Sequence, residues 1–156
     1  MAVTLKRASE HDAAMILNMQ IRSFAQMYEK YRDDQTSPAK ETVDRVLERL
    51  RQEYTYYYLI MFQEDIVGAV RIVDSHKIGA YKRISPLFIL PEFRNQGFAQ
   101  DAIQAVEEIH GREKWSLDTI AEEKGNCYLY EKMGYRRTGR MEAMNDRMTI
   151  VHYVKE

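Results

Sequence analysis

Residues 87–99 read Leu-Phe-Ile-Leu-Pro-Glu-Phe-Arg-Asn-Gln-Gly-Phe-Ala, an apolar strand followed by a glycine turn and the start of a helix. Pro91 has no amide hydrogen to donate to a sheet, so we expect the strand to end there. From Phe98 onward, apolar residues recur every three or four positions up to Gly111, which predicts an amphipathic helix. The turn at residues 94–97 therefore lies at a helix N-terminus, where unpartnered amides and the helix dipole attract anions.

Three residues of this turn suit a phosphate group. Gly97 lets a ligand approach the backbone closely, Ala99 keeps the first helical turn small, and the guanidinium of Arg94 matches phosphate oxygens. A short glycine motif is a weak indicator on its own, because many strand, turn and helix units share it. The turn is also compatible with a binding protein for another nucleotide that uses the same anion site.

Length and composition restrict the class of protein. The chain has 156 residues, of which 45% are hydrophobic and 30% charged, and we expect residues 1–156 to form a single domain. A net charge of -1 argues against a nucleic-acid or anionic-membrane partner, and we expect neither a membrane span nor a signal peptide. Cys127 is the only cysteine, which excludes an internal disulfide and a cysteine-clustered zinc site and favours a cytoplasmic location.

Hydrophobic periodicity predicts the remaining elements. Helical spacing over residues 14–31 and 43–50 predicts two helices, the second introduced by Ser37-Pro38 as cap and first residue. Two strand-like runs around the polar residues 63–65 predict an antiparallel hairpin. The other predicted elements are a short helix at 125–133 and strands at 3–8, 82–90, 115–120, 135–138 and 148–154. Pro86 interrupts one of these strands and predicts a bulge or an irregular start there.

Two motifs, at residues 91–99 and 129–135, carry a family resemblance. The first, Pro-x-x-Arg-x-x-Gly-x-Ala between a strand and a helix, resembles the coenzyme A pyrophosphate loop of the GNAT superfamily of acyl-CoA N-acyltransferases. The second, Leu-Tyr-Glu-Lys-Met-Gly-Tyr, is similar to the family segment Leu-Tyr-Glu-Lys-x-Gly-Phe/Tyr. Two motifs at the expected separation are more specific than either alone. Together with the order of strands and helices, they extend the resemblance over nearly the whole chain.

The resemblance implies a GNAT-like α/β fold, a mixed and mostly antiparallel central sheet in which one parallel strand pair splays apart, flanked by helices. It implies that acetyl-CoA is the co-substrate and that no metal takes part. It implies N-acetyltransfer to the primary amine of a small molecule or peptide by direct attack. The coenzyme-binding residues that it implies are Phe88 and Ile89 for the pantetheine, and Arg94, Asn95, Gln96, Gly97, Phe98 and Ala99 for the pyrophosphate. Tyr130 corresponds to the tyrosine near the coenzyme sulfur and is the predicted acid for the leaving thiolate.

The sequence departs from the family pattern in two places. Many members carry asparagine where this chain has Glu123, while Asn126, a predicted coenzyme contact, stands at a position more often alanine. The family often places a glutamate base on the strand before the pyrophosphate loop, where this chain offers Arg83 and Ser85. The candidate bases that remain are Asp118, Glu123 and His76, with Glu92 a poorer choice beside the phosphate loop. The missing glutamate motivates an alternative function, a non-catalytic acyl-CoA-binding or sensor module.

The acceptor stays open at this level. Phe24, Tyr28 and Tyr31 lie toward the end of the first predicted helix and either pack on the sheet or line a pocket. Such a pocket admits a small amine, an aminoglycoside, a polyamine or a peptide N-terminus. The last strand pairs either within the chain or across a homodimer.

Overall fold

The computed structural model describes residues 2–156, which form a seven-stranded sheet and four α-helices. The strands are β1 (Thr4–Arg7), β2 (Thr55–Phe62), β3 (Asp65–Val73), β4 (Lys82–Ile89), β5 (Trp115–Ile120), β6 (Arg136–Ala143) and β7 (Thr149–Lys155). The helices are α1 (Ala13–Tyr31), α2 (Val43–Arg51), α3 (Phe98–His110) and α4 (Lys124–Lys132). The strand order is β1-β2-β3-β4-β5-β7-β6, and β4 with β5 is the parallel pair. The predicted mixed, mostly antiparallel α/β fold is confirmed.

Hydrophobic side chains cover both faces of the sheet, and β2 shows the alternation that produces this arrangement. Leu59 packs in a cluster with Ile16 of α1 and Val46 of α2, whereas its neighbour Ile60 packs in a second cluster with Ile103 of α3. Successive side chains of a strand point to opposite faces, so α1 and α2 cover one face and α3 the other. None of the helices within residues 2–156 has an apolar stretch long enough to cross a bilayer.

The start of α2 differs from the prediction. The hydroxyl of Ser37 accepts a hydrogen bond from the amide of Ala39 at 3.2 Å and caps a separate 3-10 turn, Pro38–Lys40. The cap of α2 is Thr42, whose hydroxyl accepts from the amide of Arg45 at 3.3 Å. Ser37 and Pro38 therefore begin a helical turn, as predicted, but that turn ends before α2.

Strand β7 lies inside the sheet, between β5 and β6 of the same chain. It pairs with β5 along its length, from Trp115 opposite Lys155 to Ile120 opposite Ile150. The last strand is therefore paired within the chain on both sides.

Strand β4 separates from β5 soon after it begins. Lys82 pairs with Trp115 and Arg83 with Ser116, and within residues 2–156 no later pair joins the two strands. On the other side of β4, the register with β3 changes from Val70 opposite Leu87 to Ile72 opposite Ile84. One residue of β3 thus opposes two residues of β4, which is a β-bulge at the predicted position. The result is a gap between β4 and β5.

Arg71 fixes this bulge from within the protein. Its Nη1 donates to the carbonyl of Ser85 at 2.8 Å, and its Nη2 donates to Oε1 of Gln52 at 2.9 Å. Burial of the guanidinium lowers the pKa of Arg71 to about 10, because desolvation disfavours its charged form. The bulge of β4 is therefore tied to the loop that follows α2.

The alternation along β4 determines which amides face the gap. The amide of Leu90 donates to the carbonyl of Val67 at 2.8 Å, and Phe88 is paired with Ala69. Because alternate amides of a strand point to opposite sides, the amide of Phe88 faces β3, whereas those of Leu87 and Ile89 face the gap.

Candidate active site

A cavity of about 850 Å³, the large cavity, lies between the start of α3, the free side of β4, and helices α1 and α4. Strand β4 contributes Leu87 and Ile89 to its lining, and α4 contributes Asn126 and Tyr130. The cavity therefore extends from the helix N-terminus at α3 into the gap between β4 and β5.

The start of α3 presents free amides to the large cavity. Gly97 is the N-cap residue with φ +84, and no side chain caps the helix. The first helical hydrogen bond runs from the amide of Asp101 to the carbonyl of Gly97 at 3.1 Å. The amides of residues 97–100 consequently have no acceptor within the helix, and the dipole adds partial positive charge there. This geometry suits a phosphate or diphosphate group.

Most residues of the predicted phosphate loop line the large cavity. Arg94, Asn95 and Gly97 are among them, and the backbones of Asn95 and Gly97 are left-handed, with φ +62 and φ +84 respectively.

 The lining also includes Ala99 and the backbone of Phe98, whose ring is buried against that of Phe62 with 4.8 Å between centroids. Gln96 is exposed and does not line the cavity, whereas Gln100, which the sequence did not single out, does.

The side chain of Arg94 points toward α1 and binds its backbone. Nη2 donates to the carbonyl of Ser23 at 2.5 Å, Nη1 to Oε1 of Gln26 at 3.3 Å, and Nε to the carbonyl of Ile89 at 3.4 Å. Three of the five donors of this guanidinium are thus engaged inside the protein. Arg94 thus attaches the turn to α1; it also lines the large cavity, and its contact with phosphate stays a prediction.

A second cavity of about 400 Å³, the small cavity, adjoins the first. Phe24, Tyr28 and Tyr31 of α1 all line it, so the aromatic residues of that helix do face a pocket. The rest of its wall comes from β4, β5, the end of β6 and the start of β7. The residues that line both cavities are Phe24, Met27, Leu87, Asn126 and Tyr130.

Tyr130 stands where the two cavities meet. Its ring lies 6.0 Å from that of Tyr135 and 6.3 Å from that of Tyr153, centroid to centroid. Among residues 2–156, no group makes a hydrogen bond with its hydroxyl, which is therefore free to bind a ligand. Burial of the ring raises the pKa of Tyr130 to about 12, so the hydroxyl keeps its proton at neutral pH and acts as a hydrogen-bond donor.

The sequence matches the family model of the acetyltransferase (GNAT) domain over residues 25–156. The chain belongs to the GNAT acetyltransferase family. This GNAT domain gave no significant match in a search of curated protein sequences.

Solved structures with the GNAT fold superpose on nearly the whole chain. AAC(6')-Ib in complex with ribostamycin and coenzyme A has a TM-score of 0.74 at 20% identity, covering 99% of this chain and 93% of that one. Spermidine N-acetyltransferase from Vibrio cholerae, in complex with coenzyme A and spermine, has a TM-score of 0.75 at 18% identity, covering 97% of this chain and 93% of that one. RimL, a ribosomal L7/L12 α-N-protein acetyltransferase in complex with coenzyme A, has a TM-score of 0.76 at 14% identity, covering 98% of this chain and 93% of that one. At these identities the likeness establishes the fold.

Of the four candidate bases in this GNAT domain, Asp118 is the one that lines the small cavity. Its Oδ1 lies 2.7 Å from Nδ1 of His152, and its Oδ2 accepts a hydrogen bond from Arg83 at 3.1 Å. Partial burial opposes ionisation, but the hydrogen bond to His152 and the charge of Arg83 outweigh it and lower the pKa of Asp118. Asp118 is therefore a paired carboxylate, poorly suited to hold a proton.

The other three candidate bases are engaged or lie elsewhere. Glu123 lines the large cavity, where it accepts hydrogen bonds from Lys30 and Tyr31; these outweigh the effect of burial and lower its pKa. His76 lies outside both cavities, with its Nε2 at 2.6 Å from the hydroxyl of Tyr56. Glu92 also lies outside the cavities, and the hydrogen bond from Arg22 lowers its pKa.

The position of Arg94 leads to a prediction that separates attachment from direct phosphate binding. Arg94→Lys should lower the free energy of unfolding by about 1–2 kcal/mol, because a lysine cannot reproduce the hydrogen bonds to α1. The dissociation constant for coenzyme A should rise by less than about tenfold. Chemical denaturation and calorimetry measure the two quantities.

Arg22→Lys is the matched control for this experiment. Arg22 lies on α1 and pairs with Glu92, but the pair is exposed, so the free energy of unfolding of this variant should change by less than about 1 kcal/mol. A large loss of coenzyme affinity in Arg94→Lys with unchanged stability would instead point to a direct contact between Arg94 and phosphate.

Proposed function

We propose that this chain transfers an acetyl group from acetyl-CoA to the primary amine of a small molecule or peptide. The observation that carries the proposal is the meeting of two cavities at the free hydroxyl of Tyr130. The large cavity begins at the uncapped helix N-terminus and suits a diphosphate, whereas the small cavity leaves room for an acceptor. Membership of the GNAT family, and neighbours solved with coenzyme A together with ribostamycin or spermine, support this function.

In this proposal the amides of residues 97–100 bind the pyrophosphate, and the pantetheine arm lies along the free side of β4. The amides of Leu87 and Ile89 face that side and bind the arm, while the amide of Phe88 is directed toward β3. Leu87 thus takes the main-chain role that the sequence assigned to Phe88. Asn126 lines both cavities and contacts the coenzyme near its thiol end.

The reaction joins the amine nitrogen to the thioester carbonyl carbon and breaks the carbon–sulfur bond. The carbonyl oxygen becomes an oxyanion in the tetrahedral intermediate, and a β4 amide that faces the gap stabilises it. The attacking nitrogen gives up one proton to water as the amide forms, and the sulfur leaves as a thiolate, to which Tyr130 donates a hydrogen bond. Full transfer of the proton from a phenol of pKa about 12 to a thiolate of pKa about 8.5 would cost about 5 kcal/mol. Tyr130 therefore acts mainly as a hydrogen-bond donor rather than as a complete acid.

The pH dependence of kcat/KM should follow the pKa of the acceptor amine rather than that of a group of the enzyme. Asp118 and Glu123 have lowered pKa values, so both carboxylates stay deprotonated from pH 6 to 9, and Tyr130 stays protonated there. For an amine of pKa about 10.4, kcat/KM should rise about tenfold per pH unit between pH 6 and 8, because only the neutral amine attacks. For an amine with a lower pKa, the rise should level off at that lower pH. A break at the same pH for both amines would identify a titrating enzyme base instead.

An activity assay tests the function itself. The purified protein is incubated with acetyl-CoA and a panel of amines, and the free thiol is measured against time. Amine-dependent release of thiol supports acetyl transfer. Stoichiometric binding of acetyl-CoA without any amine-dependent thiol supports the alternative, an acyl-CoA-binding or sensor module. Competition between coenzyme A and ATP in a thermal-shift assay tests the nucleotide-binding alternative, which a preference for ATP would favour.

The cellular location belongs to the same proposal. Cys127 is free and buried, and a chain with one cysteine has no internal disulfide to form in an oxidising compartment. A cytoplasmic enzyme that uses the cytoplasmic pool of acetyl-CoA fits this composition.

A further inference from the structure

The small cavity contains carboxylates whose charge the protein leaves uncompensated. Its charged lining residues are Asp33, Asp118, Glu142 and Arg83. Arg83 pairs with Asp118 at 3.1 Å, and Arg140, which does not line the cavity, lies 3.8 Å from the same carboxylate, so Asp118 is compensated. Within residues 2–156, neither Asp33 nor Glu142 has a cationic group within ion-pair distance. Two carboxylates on the wall of the cavity are therefore without an ion-pair partner among the described residues.

Asp33 is the more unusual of the two, because it is 8% exposed. Its carboxylate accepts hydrogen bonds from the amides of Gln35 at 3.2 Å and Thr36 at 3.3 Å, and from the hydroxyl of Thr36. These donors are neutral and belong to its own turn. A buried carboxylate with neutral partners still lacks a counter-charge, and a cation in the cavity would supply one.

Glu142 also lines the small cavity, but it lies on β6, far along the chain from Asp33. It lies near the end of β6, is exposed to solvent at the edge of the cavity, and makes no hydrogen bond with another side chain in the described part of the protein. The turn between β6 and β7 is held against α1, because Nδ2 of Asn145 donates to the carbonyl of Tyr31 at 2.9 Å. Tyr31 ends α1 and Asp33 follows it closely, so the segments that carry Asp33 and Glu142 meet at one side of the cavity.

The C-terminal end of α1 adds the partial negative charge of its dipole at this side of the cavity. Tyr28 and Tyr31 belong to the last turn of a 19-residue helix, where the dipole places partial negative charge. The wall between this end and Tyr130 is largely apolar; its members include Phe24, Met27, Met144, Met148 and Ile150. Three cationic side chains lie near these rings: Lys40 and Arg32 are 4.5 and 5.5 Å from the ring centroid of Tyr28, and Lys30 is 5.2 Å from that of Tyr31. None of the three lines the small cavity.

From this arrangement we infer that the acceptor is a diamine or polyamine, or another amine with a second cationic group. The reacting amine lies beside Tyr130, an apolar body contacts the aromatic and methionine side chains, and a second ammonium binds between Asp33 and Glu142. The inference rests on the proposed acetyl transfer, and it narrows the acceptor from any primary amine to a cationic class. An amine without a second cationic group, or an acidic peptide, would leave both carboxylates without a partner.

Two acceptors of equal length test this inference. 1,4-Diaminobutane and 4-aminobutan-1-ol differ in the group at the far end, an ammonium in one and a hydroxyl in the other. We expect kcat/KM for the diamine to exceed that for the amino alcohol by about tenfold or more, the effect of one charge-assisted hydrogen bond in a partly buried site. Comparable values for the two acceptors, with turnover of both, would overturn the inference and leave acetyl transfer in place.

Substitution of Asp33 and Glu142 tests whether these two carboxylates cause the preference for the diamine over the amino alcohol. Glu142→Gln should reduce the ratio of the two kcat/KM values by about fivefold, and Asp33→Asn should do the same. Glu64→Gln is the control, because Glu64 is exposed like Glu142 but lies outside the small cavity, in the turn between β2 and β3, and it should leave the ratio unchanged. Asp33→Asn also alters the hydrogen bonds of its own turn. If the Asp33→Asn variant loses stability, the result for Glu142→Gln decides the outcome. An unchanged ratio in Glu142→Gln would contradict the inference.

Direct binding separates a failure of this inference from a failure of the proposed function. If acetyl-CoA binds but no amine releases thiol, acetyl transfer is refuted. Calorimetry of 1,4-diaminobutane with the wild-type protein and with Glu142→Gln then decides the cation site alone. Binding that is at least about fivefold weaker in the variant supports the site, and equal or absent binding in both proteins overturns it.

Discussion

Replacing Gly97 with valine is expected to raise the dissociation constant for coenzyme A by at least about a hundredfold. The residue has φ +84, a conformation that a β-branched side chain tolerates poorly, so the amides that follow it would shift. A Cβ at this position meets no protein atom within 4 Å, because the residue faces the open large cavity. The valine would therefore occupy space in front of the amides that bind the pyrophosphate. Loss of one or two charge-assisted hydrogen bonds accounts for an effect of this size.

Gly79→Val provides the matched control for this experiment. Gly79 has φ +80, and a Cβ there also meets no atom within 4 Å, but the residue lies outside both cavities. Both variants should lose a similar amount of stability, of about 1–3 kcal/mol. If Gly79→Val weakens coenzyme binding as much as Gly97→Val does, the effect comes from general destabilisation and not from the turn at α3.

Tyr130→Phe is expected to lower kcat by about a hundredfold while changing the KM for acetyl-CoA by less than about threefold. The hydroxyl is free of protein partners, and the raised pKa keeps its proton in place, so its contribution is a hydrogen bond that strengthens as the thiolate forms. The ring, which packs beside Tyr135 and Tyr153, is preserved in the variant. Steady-state kinetics with a good acceptor, together with calorimetry of coenzyme A, measures both effects.

Tyr128→Phe is the control on the same helix. Tyr128 is 67% exposed and lines neither cavity, so its loss of a hydroxyl should leave kcat within about twofold. Equal turnover by wild type and Tyr130→Phe would remove Tyr130 from the mechanism and leave positioning by the cavities as the main source of rate.

The fold around residues 87–99 was predictable because its signals are local. Pro91 ends β4, Gly97 opens α3, and Gly111 ends that helix, and each of these effects depends on the residue itself. The Pro86 bulge was predictable for the same reason. Ser37 and Thr42 show the limit of this approach, since both are good caps and the sequence does not reveal which of them begins α2.

The contacts of Arg94 and the direction of the β4 amides were not predictable, because they depend on partners far along the chain. A guanidinium at Arg94 reaches phosphate or the carbonyl of Ser23 equally well in principle, and the packing of α1 beside the turn determines the observed contact. Likewise, the amide of Leu87 rather than that of Phe88 faces the gap because of the register between β3 and β4. A shift of one residue in that register would exchange the two.

The candidate bases illustrate the same dependence on tertiary structure. Asp118, Glu123 and His76 looked equivalent in the sequence, yet one is paired in the small cavity, one is engaged in the large cavity, and one lies outside both. Asp33 and Glu142 carried no signal at all, because an aspartate in a polar turn and a glutamate in an edge strand are common surface residues. Their relevance follows from the attachment of the β6–β7 turn to α1.

The attachment of Arg94 to α1 has a kinetic consequence. Ser23 and Gln26, which the guanidinium binds, are the neighbours of Phe24 and Met27, which line the acceptor side. When the coenzyme orders the turn that carries Arg94, the same hydrogen bonds restrain this part of α1. The amine that binds later then loses less conformational entropy of the protein, because Phe24 and Met27 are already restrained. We therefore expect an ordered sequence of addition, in which the nucleotide associates before the amine and dissociates after the amide product.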